Sequence, residues 1–462
     1  MSTLSDVEAW ITEQLPQLIE RYGVPGAAVA VLADGEVIDH AAGLLSTATG
    51  VEATPDSVFQ IGSITKTWTA TLVMQLVDEG LVDLDQPIRT YLPDFRIADE
   101  SAAATITTRQ LLSHTAGFEG DIFTDTGVGD DCVEKYLGVL HDVPQLFPPG
   151  EQFSYNNAGF VVLGRLVEVL RGKPYDECLK ERLFQPLGLT HAATGPYEAI
   201  LFRAAVRHIE PEPGADLVPA PMWALVRSNA PAGAMLAMRP RDLLTFANMH
   251  MNNGAAADGT QVLAPETVTA MREPRVTLPD LGLMGTHWGL GWELFATPDG
   301  TVVGHDGSTI GQSAFLRMVP EKGVAVAVLT NGGDTFALYR DVVAHVLAEL
   351  AEVSLPAMPH PPEEPSRIDA RRYVGTYSAE VADLVVTQDD DGRIWIEMTP
   401  KGIAKEIGEK AERKELVHYA GDSLIPVEAD RGMYLPHAFV GNDGHGRALY
   451  LHIGRAVRRV DA

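Results

Sequence analysis

The chain has 462 residues, 45% of them hydrophobic, which is enough for two domains with buried cores. Its formal net charge of −28 argues against nucleic acid as a partner and against binding to an anionic membrane surface. The two cysteines, Cys132 and Cys178, are widely spaced, so we expect free thiols in a reducing compartment. The 14 histidines show no zinc-binding spacing, and no glycine-rich nucleotide loop is present, so no metal or other cofactor is expected.

The N-terminal residues do not resemble an export signal. Asp6, Glu8 and Glu13 lie where a secretory signal would have a basic region followed by an apolar core. No apolar run in the sequence approaches the length of a membrane span. We therefore expect a cytoplasmic protein whose substrate is made inside the cell.

Sequence periodicity predicts a mixed α/β (α+β) catalytic domain over residues 1–354. Apolar residues three and four apart indicate helices, and alternation of apolar and polar residues indicates strands. The order of elements favours an antiparallel sheet built from both ends of this domain and flanked by helices, with a mostly helical insertion over 80–290. The predicted elements are a helix over 4–21, a hairpin of 27–32 and 36–41, helices over 66–79 and 160–170, strands over 302–308, 313–319 and 323–330, and a helix over 334–353.

The C-terminal part of the chain differs in composition. Residues 355–365 contain five prolines, which is typical of a linker. Residues 366–462 contain short alternating segments between turn signals, which predicts an all-β module, either a small barrel or a sandwich. The predicted strands of this module include 383–388, 393–398, 415–419 and 448–453.

Ser63 and Lys66 form the single Ser-x-x-Lys pattern of the chain, at the start of a predicted helix. Residues three apart lie on one helical face, so the lysine amine can reach the serine hydroxyl. A buried lysine loses part of its preference for the charged form and can then accept the hydroxyl proton. The helix N-terminus adds N–H groups where an oxyanion would form. On its own, such a short pattern more often consists of surface residues of a helix that have no catalytic role.

Two further patterns support a catalytic site. Tyr155 and Asn157 follow a Pro-Pro-Gly turn, and in extended backbone their side chains would project to the same side. His305 and Gly307 lie in a predicted strand whose glycines permit close approach of a substrate backbone. His287, which is also followed by a glycine after one residue, is a weaker candidate and is expected to be a packing or edge residue.

In this order and at these separations, the three pairs resemble the motifs of the serine β-lactamase and penicillin-binding-protein superfamily, in its class C and DD-peptidase-like branch. Residues 111–118 and 147–150 also resemble that branch. The resemblance covers about residues 6–350 and implies a β-lactamase/transpeptidase-like fold. Residues 373–377 resemble the start of the lipocalin-like domain found in some members. Histidine in the third motif, in place of the Lys-Thr-Gly of most β-lactamases, is more typical of the branch's esterases, peptidases and acyltransferases.

The resemblance implies a two-step acyl transfer through an acyl-enzyme. The serine attacks a carbonyl, and the lysine and the tyrosine share the proton transfers, with either of them as the base. The asparagine would bond the lysine and the acyl amide, and the histidine would hold the tyrosine and favour its anion. The implied residues are catalytic Ser63, Lys66, Tyr155, Asn157 and His305, the oxyanion-hole N–H groups of Ser63 and Ser308, and substrate-binding Gly307.

The leading hypothesis is a stand-alone penicillin-binding-protein-type thioesterase. Such an enzyme would take a nonribosomal peptide from a phosphopantetheinyl carrier protein and macrocyclise it, with a D-residue at the acyl position. The C-terminal module with Arg455, Arg458 and Arg459 is then the expected docking surface for an acidic carrier. The alternatives are a cytoplasmic esterase or a D-amino-acid peptidase or amidase acting on a small peptide or ester, and a catalytically silent protein that retains the fold.

Overall fold

The computed structural model describes residues 2–212, 214–406, 408–430 and 432–461. None of the helices in these ranges combines the length and apolar character needed to cross a lipid bilayer. The helices, in chain order, are α1 Leu4–Arg21, α2 Thr65–Asp78, α3 Glu100–Ala103, α4 Thr108–Leu112, α5 Cys132–Val139, α6 Asn157–Arg171, α7 Tyr175–Leu179, α8 Pro196–Ala199, α9 Pro240–Met251, α10 Pro265–Met271, α11 Thr335–Ala351 and α12 Gly402–Glu406.

The strands fall into a large sheet, two small sheets and a barrel. Those that precede α11 are β1 Gly26–Ala33, β2 Glu36–Ser46, β3 Val51–Glu52, β4 Phe59–Gln60, β5 Ala192–Ala193, β6 His208–Ile209, β7 Val218–Pro219, β8 Ala237–Met238, β9 Val276–Thr277, β10 His287–Trp288, β11 Glu293–Thr297, β12 Gly300–Thr309, β13 Gln312–Val319 and β14 Val324–Thr330. Those that follow it are β15 Gly375–Ser378, β16 Ala382–Gln388, β17 Ile394–Pro400, β18 Glu412–Ala420, β19 Ser423–Pro426, β20 His437–Val440, β21 Tyr450–His452 and β22 Ala456–Arg459.

The large sheet is antiparallel and joins the two ends of the catalytic region. Its order is β3-β2-β1-β14-β13-β12-β11-β10-β9, so β1 lies directly beside β14. Both faces are covered: alternate residues of β1 pack into two different clusters, Ala28 and Ala30 on one face and Val29 and Val31 on the other. The predicted mixed α/β fold with an antiparallel sheet and a helical subdomain is confirmed.

Several predicted boundaries differ from the structure, and those of β2 and α6 have a clear physical reason. Strand β2 continues beyond the predicted hairpin because it pairs with β1 as far as Gly43 and then with β3. Helix α6 begins at Asn157, three residues before the predicted start, because the Asn156 side chain accepts a hydrogen bond from the N–H of Gly159 and caps the helix there.

Strands β15–β22 form a closed antiparallel barrel, so of the two predicted all-β architectures the barrel is observed. Its interior is filled by side chains. The buried Arg459 guanidinium donates to the carbonyl oxygens of Ala448 and Val374 and to the Tyr377 hydroxyl. The Tyr377 hydroxyl in turn donates to the Tyr373 carbonyl oxygen at 2.8 Å. The barrel is therefore a packed core with a polar plug.

Candidate active site

Ser63 lies where a short strand turns into a buried helix. Strand β4 is followed by a single 3-10 turn, Gly62–Ile64, and then by α2, whose first ten residues are all buried. Gly62 has a φ of 50°, a conformation that a residue with a side chain adopts at a cost. This tight turn places the Ser63 hydroxyl above the first turn of α2 and in reach of Lys66.

The Lys66 amine has three oxygen neighbours. Its Nζ lies 2.7 Å from Asn157 Oδ1, 2.6 Å from the Ala232 carbonyl oxygen and 3.1 Å from Ser63 Oγ. The first two oxygens can only accept hydrogen bonds. A neutral amine has two N–H donors and one lone pair, so the two carbonyl oxygens take its donors and the lone pair is left for the Ser63 hydroxyl proton.

The surroundings of Lys66 favour this neutral form. Its side chain is fully buried, and burial lowers the pKa of the Lys66 amine well below its ordinary value. The charge of Arg455 acts in the same direction, whereas Asp121 and Glu293 oppose it. An uncharged Lys66 can accept a proton from Ser63.

Asn157 connects Lys66 to an acidic residue that sequence analysis missed. Its Oδ1 accepts from Lys66, and its Nδ2 donates to Asp121 Oδ1 at 2.7 Å. These two bonds determine which way the amide faces, since the amide oxygen cannot donate to a carboxylate. Asp121 follows the family-like stretch 111–118 closely, and that position was the available signal for it.

Tyr155 is a buried residue whose ring lies beside the Lys66 amine. Its ring lies 4.8 Å from Lys66 Nζ, and the His114 ring packs against it at 4.4 Å between centroids. Burial raises the pKa of Tyr155 above its ordinary value, and a hydrogen bond with Ser63 opposes this effect. The resting site therefore contains a neutral phenol beside an amine whose pKa is lowered.

His305 is 1% exposed and lies next to Tyr155, with 6.4 Å between ring centroids. Its Nδ1 lies 2.6 Å from the Asp306 carbonyl oxygen, which can only accept, so Nδ1 carries the proton. Burial lowers the pKa of His305 to about 3, and the ring is neutral. Its Nε2 is thus a free acceptor, without a hydrogen-bond partner in the part of the chain described.

Three glycines surround the Ser63 amide. A methyl group on Gly307 would lie 3.1 Å from Ser63 N and would overlap the Ile61 carbonyl oxygen. One on Gly233 would lie 2.9 Å from Ser63 N, and one on Gly62 would lie 2.6 Å from Ser308 N. The amides of Ser63 and Ser308 are thus brought together in a frame that admits no side chain. Two convergent N–H groups are what an oxyanion hole requires.

The barrel supplies one side of the site. The turn between β21 and β22 lies along the segment that contains Tyr155: Tyr155 N donates to the Gly454 carbonyl oxygen at 3.0 Å, and Ala456 N donates to Ser154 Oγ at 3.1 Å. Arg455, in the same turn, donates from Nε to Asp121 Oδ2 at 2.7 Å, and its guanidinium lies 4.9 Å from the Tyr155 ring centre.

This arrangement overturns the arginine docking surface expected from the sequence. Arg459 is inside the barrel, where its guanidinium bonds to carbonyl oxygens, and Arg455 faces the catalytic network. Arg458 is exposed, Arg455 is half-buried and Arg459 is buried, so the three do not form a joint basic surface. His287, the rejected candidate, lies on β10 with its Nδ1 3.0 Å from Thr286 Oγ1.

The chain is similar in sequence to known proteins. A family model described as Beta-lactamase matches residues 11–349. The chain is 44% identical over 370 residues to "Penicillin-binding protein 4" of Amycolatopsis lactamdurans, covering 80% of this chain and 97% of that protein.

Two similar solved structures contain D-amino acids. The crystal structure of SurE with D-Leu superposes with a TM-score of 0.77 at 30% identity, covering 99% of this chain and 100% of that one. A D-amino acid amidase from Ochrobactrum anthropi SV3, complexed with D-phenylalanine, gives a TM-score of 0.62 at 25% identity, covering 75% of this chain and 99% of that one.

Proposed function

Because the chain belongs to the β-lactamase family, we propose that it is a serine acyltransferase that releases a nonribosomal peptide from its carrier-protein thioester as a macrocycle through a Ser63 acyl-enzyme. The observation that supports this most directly is the hydrogen-bond count at Lys66. Two carbonyl oxygens occupy the amine's donors and leave its lone pair beside the Ser63 hydroxyl. A nucleophile and its base are thereby in contact before substrate binds.

In the acylation step, Lys66 accepts the Ser63 proton as Oγ bonds to the thioester carbonyl carbon. The negative charge that develops on the carbonyl oxygen is stabilised by the N–H groups of Ser63 and Ser308. The carbon–sulfur bond then breaks. The proton passes from Lys66, by way of the Tyr155 hydroxyl, to the departing thiolate, so the carrier leaves as a thiol.

In the second step, the peptide's own N-terminal amine attacks the ester carbon. Lys66 and Tyr155 take the proton that the amine loses and return one to Ser63 Oγ as the ester bond breaks. The products are a cyclic peptide and free enzyme. With water in place of the amine, the same sequence of proton transfers gives a linear acid.

A D-residue at the acyl position is the proposed preference. It is supported by the structure of SurE with D-Leu and by the similarity to a protein named D-amino acid amidase. Similarity to the D-amino acid amidase also supports the second candidate function, a hydrolase for esters or D-amino-acid peptides and amides, because such an enzyme needs the same acyl-enzyme.

Mass spectrometry of the product distinguishes the two candidates. A linear peptidyl N-acetylcysteamine thioester with a C-terminal D-residue is incubated with the enzyme, and the product is weighed. A mass one water below that of the linear acid supports cyclisation, whereas the mass of the linear acid supports the hydrolase. The thioester epimer with a C-terminal L-residue is the matched substrate control, and equal turnover of both epimers would contradict the stereochemical preference.

The nucleophile is tested separately. A fluorescent fluorophosphonate should label the wild-type protein, and Ser63→Ala should abolish the labelling. Ser101→Ala, an exposed serine at the start of α3, is the control. Absence of labelling in the wild type would refute the acyl-enzyme and favour a catalytically silent protein.

A further inference from the structure

Glu293 is a buried carboxyl group that the acyl-transfer steps above leave unused. It is 2% exposed, at the start of β11, opposite Gly304 of β12. Its Oε1 lies 3.8 Å from His305 Nδ1, and its Oε2 has no hydrogen-bond partner among the described residues. A backbone hydrogen bond from Asp306 reaches this carboxyl group, but a buried carboxyl oxygen without a partner is still costly, so its retention beside the His305 imidazole calls for a physical account.

The buried guanidinium of Arg317 is paired with Asp306 and not with Glu293. Arg317 is 1% exposed, and its Nη1 lies 2.6 Å from Asp306 Oδ1. The same guanidinium lies 4.3 Å from the Phe295 ring centre. Arg317 is thus paired with Asp306, although its charge also acts on Glu293, and the Nδ1 edge of His305 lies 3.8 Å from the Glu293 carboxyl group.

The position of Glu293 is firmly set by the backbone before it. Gly291 N donates to the Leu112 carbonyl oxygen at 3.1 Å, and Gly289 N donates to that of Trp292 at 2.8 Å. The Trp288 ring packs edge-on against His305 at 5.3 Å. This glycine-containing turn holds the carboxyl group behind the imidazole.

We propose that Glu293 is a positioning residue that acts through His305, its carboxylate making Nε2 a better acceptor for the Tyr155 hydroxyl proton. In this step the Tyr155 O–H bond breaks and a His305 Nε2–H bond forms. The other ring proton stays on Nδ1 and remains hydrogen-bonded to the Asp306 carbonyl oxygen. The carboxylate balances the imidazolium charge, and the proton returns to Tyr155 when the leaving group needs it. The inference rests on the proposed serine acyl transfer but not on cyclisation.

The charge state of Glu293 makes this role dependent on pH. Burial, and then the neighbouring charge of Asp306, raise the pKa of Glu293 above its ordinary value. At lower pH the carboxyl group is neutral and supports His305 less, and at higher pH it is ionised and supports it fully. The other charged or titratable groups that interact with this pair are Lys66 on α2, His114, Tyr155, Asp306 on β12, Arg317 on β13 and Tyr339 on α11.

The test compares wild type with Glu293→Gln, a neutral isostere of the protonated acid. The probe is p-nitrophenyl acetate turnover, measured at pH 6 and pH 9. At pH 9, where Glu293 of the wild type is ionised, we expect kcat of the variant to fall by about tenfold or more. At pH 6 the kcat values of the two enzymes should agree within about twofold, since the side chain at position 293 is then uncharged in both. An equal loss at both pH values would indicate a structural role and overturn the proposal, as would no loss at pH 9.

A double-mutant cycle tests whether Glu293 acts through His305. In a His305→Gln background, adding Glu293→Gln should change kcat at pH 9 by less than about twofold. A further tenfold loss would overturn the proposal. Glu273→Gln, at an exposed position in the same part of the chain, is the matched control and should behave as wild type.

Two measurements keep the outcome interpretable. If fluorophosphonate labels Ser63 in wild type and variant at equal rates, the fold and the nucleophile are intact, whereas failure of wild type to label refutes the acyl transfer and not the role of Glu293 alone. In the unmodified enzyme, ¹⁵N-histidine NMR should show His305 protonated on Nδ1 and a change in its Nε2 shift as Glu293 ionises. A proton on Nε2 instead of Nδ1 would overturn the proposal even if Glu293→Gln failed to fold.

Discussion

Arg455 donates through Nε to Asp121 Oδ2 over 2.7 Å, and this ion pair connects the barrel to the catalytic domain. Asp121 accepts from Asn157 Nδ2, and Asn157 Oδ1 accepts from Lys66. A charge supplied by the barrel therefore acts on the amine beside Ser63 through two intervening side chains.

Removing this charge should weaken Lys66 as a base. Arg455 lowers the pKa of Lys66, so Arg455→Gln raises it and leaves the Asp121 carboxylate uncompensated, which raises it further. More Lys66 is then protonated at neutral pH. We expect the fluorophosphonate labelling rate at pH 7 to fall roughly tenfold, about 1.4 kcal/mol of barrier, and the rising limb of its pH profile to move to higher pH.

The exposed Arg458 provides the matched control for that experiment. It lies three residues further along the same hairpin and is solvent-exposed, so Arg458→Gln should label at the wild-type rate. An Arg455→Gln rate that is reduced by the same factor at every pH would contradict an effect through Lys66.

Lys66→Arg should abolish acylation even though it keeps a positive charge and a long side chain. A guanidinium does not deprotonate in proteins, so it cannot accept the Ser63 proton. We expect a loss of labelling of about a thousandfold. In wild type the labelling rate should level off well below the pH at which a free lysine titrates, because burial lowers the pKa of Lys66. Lys173→Arg, at an exposed ion pair, is the control, and substantial activity in Lys66→Arg would contradict a lysine base.

Gly307→Ala should close the space in which the oxyanion forms. The added methyl group would overlap the Ile61 carbonyl oxygen and lie 3.1 Å from Ser63 N, so β12 must move away from the serine amide. We expect the acylation rate to fall by about a hundredfold or more. Gly323→Ala provides the comparison: it has a φ of 64° with no atom near its Cβ, so it should cost about 1 kcal/mol of stability and no activity. Equal activity in the two variants would contradict the oxyanion site.

Arg459→Lys should destabilise the barrel. A lysine cannot reach the carbonyl oxygens of Ala448 and Val374 and the Tyr377 hydroxyl at once, and each buried polar group left without a partner has a cost. We expect the free energy of unfolding of the barrel to fall by about 3 kcal/mol in urea titrations. The exposed Arg458→Lys should leave the transition unchanged, and an unaltered midpoint in Arg459→Lys would contradict the polar plug.

Local patterns predicted those parts of the protein that depend on neighbouring residues. Helix α1 has the predicted bounds because Thr3 and Asp6 form a capping box and its apolar residues recur on one face. Ser63 and Lys66 are in contact for a similarly local reason: residues three apart in a helix share a face. The pairing of β13 with β14 was predictable for a local reason too, because only a short turn separates these two strands.

The residues that sequence analysis missed depend on contacts between distant segments. Asp121 is 334 positions from Arg455, and neither residue belongs to a recognisable pattern. Glu293 follows a glycine-containing turn, which was a weak signal, and its significance depends on β11 lying beside β12. His114 lies within the family-like stretch 111–118 and packs against the Tyr155 ring. In the structure its Nδ1 accepts from Asn156 N, and its Nε2 is unpaired within the described ranges.

The docking of the β21–β22 turn has a consequence for how this family diversifies. Exchange of barrels between relatives by recombination would also exchange the guanidinium and the carbonyl oxygen that meet Asp121 and Tyr155. A hybrid would therefore inherit a foreign part of its own reaction centre. The barrel and the catalytic domain are therefore expected to evolve together. A barrel grafted from a relative should restore turnover only when its β21–β22 turn fits the catalytic domain that receives it.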